Sequence, residues 1–185
     1  MASILGIDTI QNTVGTTAAS IDNAGRMTQP NIPFIMCSCK DSPTTTVSPT
    51  GFTGRIPLHN IFSSRGITLD TSTNLWSVPV TGLYHISAAV RINSNLTYLY
   101  WTIDDMTDSS NPAMVQGSKL VLAHGASAGF TTASGSLALN LQTGKSYQLR
   151  AGANNGNSQT LNQEQTWMDA YLICLLYTSD AADEE

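Results

Sequence analysis

Residues 82–92 read GLYHISAAVRI, and their alternation is strict. On an extended strand Tyr84, Ile86, Ala88 and Val90 fall on one face, while His85, Ser87, Ala89 and Arg91 fall on the other. A period of two is the mark of a half-buried β-strand. The same rhythm recurs along the chain, and helical periodicity is almost absent. Clusters of Gly, Asn, Pro and Ser break it at intervals of about ten residues. Strands are expected over YLYWTID (98–104), KLVLAHG (119–125) and WMDAYLI (167–173). SLALNLQTGKSYQLRA (136–151) reads as a hairpin: Leu137, Leu139 and Leu141 alternate, Thr143-Gly144 turns, and Tyr147, Leu149 and Ala151 return. A chain patterned this way is an all-β antiparallel sandwich or barrel.

At 185 residues the chain is long enough for one good core and a small appendage. Residues 1–30 hold no aromatic residue and few large apolar ones, so they cannot close a core alone. They contain two short strands, within SILGIDTIQ and TTAASIDNAGRM, separated by Asn12–Gly15. A β segment so poor in core must borrow a partner, most simply copies of itself. The expected organisation is therefore an N-terminal anchoring segment, 1–30, and a folded head, 31–173.

Charged residues make up 11 % of the chain, against roughly a quarter in an ordinary soluble domain. The net charge of −5 belongs to the last positions, where Asp180, Asp183, Glu184 and Glu185 lie; residues 1–173 hold nine acids and eight bases. No basic face points to nucleic acid, and no apolar run is long enough to span a membrane. The N-terminus lacks the basic start and apolar run of a leader peptide, so a soluble protein is expected. Cys37 and Cys39 read as one small buried side chain and one neighbour, without the histidines a zinc site would need.

Within residues 33–92 a series of short elements follows in order: Pro33-Phe34, Ile56-Pro57-Leu58, Gly66-Ile67, Trp76, Val78-Pro79 and Gly82-Leu83-Tyr84. This series resembles the globular head of complement component one q, the jelly roll shared with tumour necrosis factor. The later rhythm L-x-L-x-L-x-x-G-x-x-Y-x-L and the final WMDAYLI fall where that family's last strands belong. The motif Trp76, Val78, Pro79, Gly82, Tyr84 has a physical sense. Pro79 cannot donate to a ladder and ends a segment, Gly82 permits a tight turn into the next strand, and Tyr84 places a ring inside with its hydroxyl seeking an acceptor. The resemblance implies an antiparallel jelly-roll sandwich that assembles as a homotrimer and buries an apolar flank. No Gly-X-Y stalk precedes the head.

What precedes it, with Ile7–Asn12, Gly15–Ala18 and Asp22–Arg26, resembles the N-termini of marine bacteriophage tail-fibre and minor structural proteins. Beyond Ile173, CLLYTSDAADE (Cys174–Glu184) resembles the translation of a transposase-based sequencing adapter. Residues 174–185 are accordingly expected to be a non-native tail.

Enzyme motifs are missing. There is no G-x-S-x-G elbow, P-loop or Rossmann fingerprint, and His59, His85 and His124 sit in unrelated contexts. His85 is expected on the polar, exposed side of its strand. In DDMTDSSN (104–111), Asp104, Asp105, Asp108 and Asn111 supply oxygen ligands of the kind calcium takes, without EF-hand spacing. GANNGNSQTLNQEQ (152–165) is rich in amides; Asn154, Asn155 and Asn157, with Tyr98, Tyr100 and Trp101, form a candidate receptor-binding set of the kind that meets a sugar. The expected function is that of a non-enzymatic virion protein. Its N-terminal segment would join other virion proteins, and its trimeric head would meet a host-surface glycan or protein. A free secreted or cell-surface ligand of the same fold is the rival.

Overall fold

The computed structural model of the chain describes residues 9–11, 17–21, 24–25, 27–29, 31–42, 46–47, 54–94, 96, 98–122, 129–153 and 158–175. It divides into two compact units, Met1–Ile32 and Pro33–Glu185. In the first, β1 (Thr9–Gln11), β2 (Thr17–Ile21) and β3 (Met27–Thr28) form an antiparallel sheet in the order β1-β2-β3. The third strand was not legible in the sequence. It returns through Ala24 and Gly25, whose φ of +75° suits a residue without Cβ.

The second unit is a two-layer sandwich. Its strands are β4 (Phe34–Ser38), β5 (Thr46–Val47), β6 (Gly54–Arg55), β7 (Asn60–Arg65), β8 (Thr68–Asp70), β9 (Leu75–Ser77) and β10 (Gly82–Ile92). There follow β11 (Leu99–Asp105), β12 (Ala113–Met114), β13 (Leu120–Leu122), β14 (Thr131–Leu141), β15 (Tyr147–Ala153), β16 (Gln159–Thr160) and β17 (Trp167–Leu175). One layer runs β14-β10-β17-β4-β7; the other runs β12-β11-β15-β9-β8, with β13 on β11 and β6 on β15. β16 and β5 pair separately, and the pairings are antiparallel throughout. Among the described residues no helix is long and apolar enough to cross a membrane.

The core lies where the alternation placed it. Tyr84, Ile86, Ala88, Val90 and Ile92 point inward from β10 and are fully buried. They meet Leu99, Trp101 and Ile103 of β11, Leu149 of β15, and the buried Ile56 and Leu58. Trp76 and Tyr147 are register partners on β9 and β15, and their rings lie 5.3 Å apart. The Tyr84 hydroxyl donates to the Val80 carbonyl at 2.8 Å. Gly82 is where β10 and β17 approach too closely for a side chain: a Cβ there would stand 2.5 Å from Leu172 and 2.6 Å from the Cys174 carbonyl oxygen. Val78 is buried, while Pro79 closes its segment at the surface.

Three expectations need correction. The proposed hairpin is not one: β14 pairs with β10 and β15 with β11, so the turn at Thr143-Gly144 carries the chain from one sheet to the other. Leu139, Leu141, Tyr147 and Leu149 all point into the core, and alternation on two strands cannot say whether they share a sheet. Cys37 and Cys39 are both buried, since residues two apart on an extended segment share a face; burial pushes the Cys37 thiol up to about 12. Finally, β17 continues past Ile173, with Cys174 and Leu175 paired to Leu83 and Gly82. Residues 176–185 of the expected tail lie outside the described residues.

Candidate functional site

The outward face of the sheet β14-β10-β17-β4-β7 is ordered in rows. In the first, His85, Tyr171, Phe34 and Arg65 are successive register partners across β10, β17, β4 and β7. The His85 and Tyr171 rings lie 4.9 Å apart, and the Arg65 guanidinium stands 5.3 Å from the Phe34 ring centre. The next row runs Ser136, Ser87, Asp169, Met36 and Ser63. A third brings Ser134, Ala89, Trp167 and Ser38 into line. Ile173 adds to this face as the extra residue of a bulge opposite Leu83 and Tyr84.

Trp167, Tyr171, Met36 and Ile173 are 39, 44, 50 and 50 % exposed. One sheet face thus carries contiguous large apolar side chains in contact with water, a signature of a surface that a partner covers. Asp169 sits in the middle of it, on the central strand, between the rows of Trp167 and Tyr171. Its Oδ1 is sealed from solvent without a hydrogen-bond partner, and so is Nδ1 of His85. His85 is therefore half-buried on an aromatic face rather than free at a polar one.

The sequence carries a signal for this face. WMDAYLI is apolar at Trp167, Tyr171 and Ile173 on one side and at Met168, Ala170 and Leu172 on the other. A strand apolar on both faces is covered on both.

One member of the candidate receptor set is out of reach of a receptor. Trp101 is completely buried in the core beside Leu99 and Ile103, so it cannot contact a receptor. Alternation puts either Tyr100 or Trp101 inward from β11, and the larger apolar ring takes the core. Tyr98 and Tyr100 stack, with ring centres 6.2 Å apart at 19°, and the Lys119 ammonium lies 4.4 Å from the Tyr100 ring. Of these two rings only Tyr98 is substantially exposed, at 39 %. Asn154, Asn155 and Asn157 lie outside the described residues.

The acidic loop splits. Asp104 turns under the surface, where Thr102 donates to it at 2.7 Å and Arg150 pairs with it at 3.3 Å. Burial raises its carboxyl above the ordinary range despite both partners. Asp105, Asp108 and Asn111 line one open depression of about 270 Å³ together with Lys145. The Lys145 ammonium lies 3.1 Å from Asp105 and neutralises part of the loop's negative charge. Bonds from the Ser110 hydroxyl and backbone lower Asp108. Among the described residues no group of three or more His, Cys, Asp or Glu is placed to hold a metal ion.

Comparison with known proteins identifies the architecture. No protein-family profile and no curated protein matches the chain. Solved structures do. Eiger TNF from S. frugiperda is 13 % identical, with a TM-score of 0.56 over 84 % of this chain and 99 % of its own. The globular domain of zebrafish complement 1qA protein is 13 % identical, with a TM-score of 0.55 over 78 % of this chain and 99 % of its own. Murine APRIL is 10 % identical, with a TM-score of 0.55 over 77 % and 99 %.

Proposed function

Since the fold is the jelly roll of those heads, we propose that the chain is a non-enzymatic binding protein whose head works as a homotrimer. The observation that carries this reading is the exposed face of Trp167, Tyr171, Met36 and Ile173 on the sheet β14-β10-β17-β4-β7. A sandwich needs only one apolar face per sheet to close its core; a second is accounted for by copies of the chain, as the resemblance implies. The particular role is that of a virion protein, a tail fibre or decoration. This rests on the likeness of residues 1–30 to bacteriophage structural proteins and on their lack of a core.

The trimeric head would meet a host-surface glycan or protein, with the exposed Tyr98 ring, stacked on Tyr100, as its contact. The rival, a free ligand of the same fold, finds support in the tumour necrosis factor likeness. Neighbouring genes for tail or capsid proteins are expected under the virion role and not under the rival. Binding is tested by presenting the purified chain to a glycan array and to bacterial surfaces. Retention that falls with Tyr98→Ala is expected; binding indifferent to that change removes Tyr98 from the contact, and no binding to any surface contradicts the adhesive role.

A further inference from the structure

We propose that the cavity between segment 55–59 and the turn 71–74 binds a single acidic sugar residue, with Arg55 holding its carboxylate. Ile56 and Leu58 are completely buried in the core, so alternation turns Arg55, Pro57 and His59 to the outer side. All three line an open cavity of about 270 Å³ that they share with Thr71, Ser72 and Asn74. Pockets for drug-sized ligands run from about 300 to 1,000 Å³, so this one suits a single ring.

Its two walls are fastened together by Asn74. That residue holds a left-handed φ of 56°, which asparagine tolerates better than most. Its Nδ2 donates to the Leu58 carbonyl at 2.9 Å and to the Thr71 carbonyl at 3.0 Å, tying the turn to the segment opposite. Asp70 braces the same turn through the Ser72 hydroxyl at 2.6 Å, while lining a neighbouring depression with Thr68 and Trp76 rather than this cavity. Walls already set in this way lose little freedom when a ligand arrives.

The polar groups choose the ligand. Arg55 is exposed, and its one side-chain bond among the described residues goes to the Thr73 carbonyl at 3.4 Å. Its register partner Arg150 is already matched by Asp104, so the Arg55 charge is left without a carboxylate among the described residues. A guanidinium offers a planar fork of donors that fits a carboxylate. The exposed His59 ring can add a further donor. Ser72 gives its hydroxyl hydrogen to Asp70, so toward the cavity its oxygen can only accept. A bare anion satisfies the fork and not that acceptor, and a neutral sugar does the reverse. A sugar acid carries both groups on one ring.

The test uses the full chain and saturation-transfer NMR with three probes: methyl glucuronide, methyl glucoside and inorganic sulfate. The glucuronide is expected to bind saturably with a Kd of about 1 mM, and each of the others about tenfold or more weakly. Arg55→Met is expected to weaken the glucuronide about tenfold or more, and His59→Ala by a smaller factor. Both residues are exposed, so thermal unfolding of either variant stays that of the wild type. No saturable glucuronide binding, a glucoside or sulfate that binds as tightly, or binding indifferent to Arg55→Met overturns the proposal. Each of those results leaves the covered sheet face and the Tyr98 contact standing, since neither draws on this cavity.

Discussion

Asp104 of β11 and Arg150 of β15 meet on the sheet β12-β11-β15-β9-β8 with Oδ2 and Nη1 3.3 Å apart, their side chains only 4 and 11 % exposed. Removing one partner of such a pair leaves the other charge uncompensated. Arg150→Met is expected to cost about 3–5 kcal/mol, and the double change D104L/R150M to recover most of it. Urea unfolding of the three variants checks this. Burial raises the Asp104 carboxyl, so its contribution is full below the unfolded value of about 3.9 and is lost as pH rises through the folded value. The Asp104→Asn variant therefore gains on the wild type as pH climbs from about 4.

Asp70 titrates in the opposite sense. Its carboxylate accepts from the Ser72 hydroxyl at 2.6 Å, the Thr73 hydroxyl at 2.9 Å and the Ser72 backbone N–H at 2.8 Å. Those bonds lower it to about 2. The stability it supplies is present above the unfolded value of about 3.9 and is lost as pH falls through the folded one. Denaturant midpoints between pH 5 and 2 should fall less steeply in Asp70→Ala than in the wild type.

Gly82→Ala tests the close approach of β10 and β17. A Cβ there meets the Cys174 carbonyl oxygen at 2.6 Å, and backbone cannot step aside as a side chain can. The expected loss is about 1–3 kcal/mol. Gly144→Ala has open space but a φ of +79°, so its cost of about 1–2 kcal/mol is one of backbone conformation alone. A crystal structure of each variant separates the two: strand displacement at Gly82, none at Gly144.

Tyr84→Phe removes the hydroxyl that donates to Val80 at 2.8 Å while leaving its buried ring in place. A loss of about 1 kcal/mol with an unchanged fold is expected from thermal unfolding.

Alternation made the core strand legible: Tyr84, Ile86, Ala88 and Val90 are buried as read, and Trp76 and Gly82 stand where the motif needs them. Alternation is local, however, so it could not tell that β14 and β15 belong to different sheets. Nor could it choose between Tyr100 and Trp101 on β11. Asp104 read as a loop oxygen because its partner Arg150 lies on another strand, beyond any spacing argument. The outward apolar face was hidden for a similar reason, since Met36, Trp167 and Tyr171 come together only through the pairing of β4 with β17.

The central claim, a jelly-roll head that associates through its outward sheet face, is tested most directly by the mass of the full chain in solution. Native mass spectrometry with sedimentation velocity should find one species of three chains, each of 19.7 kDa, which Trp167→Asp with Tyr171→Asp reduces to folded single chains. A wild-type chain that remains a single 19.7 kDa species at every concentration would contradict it.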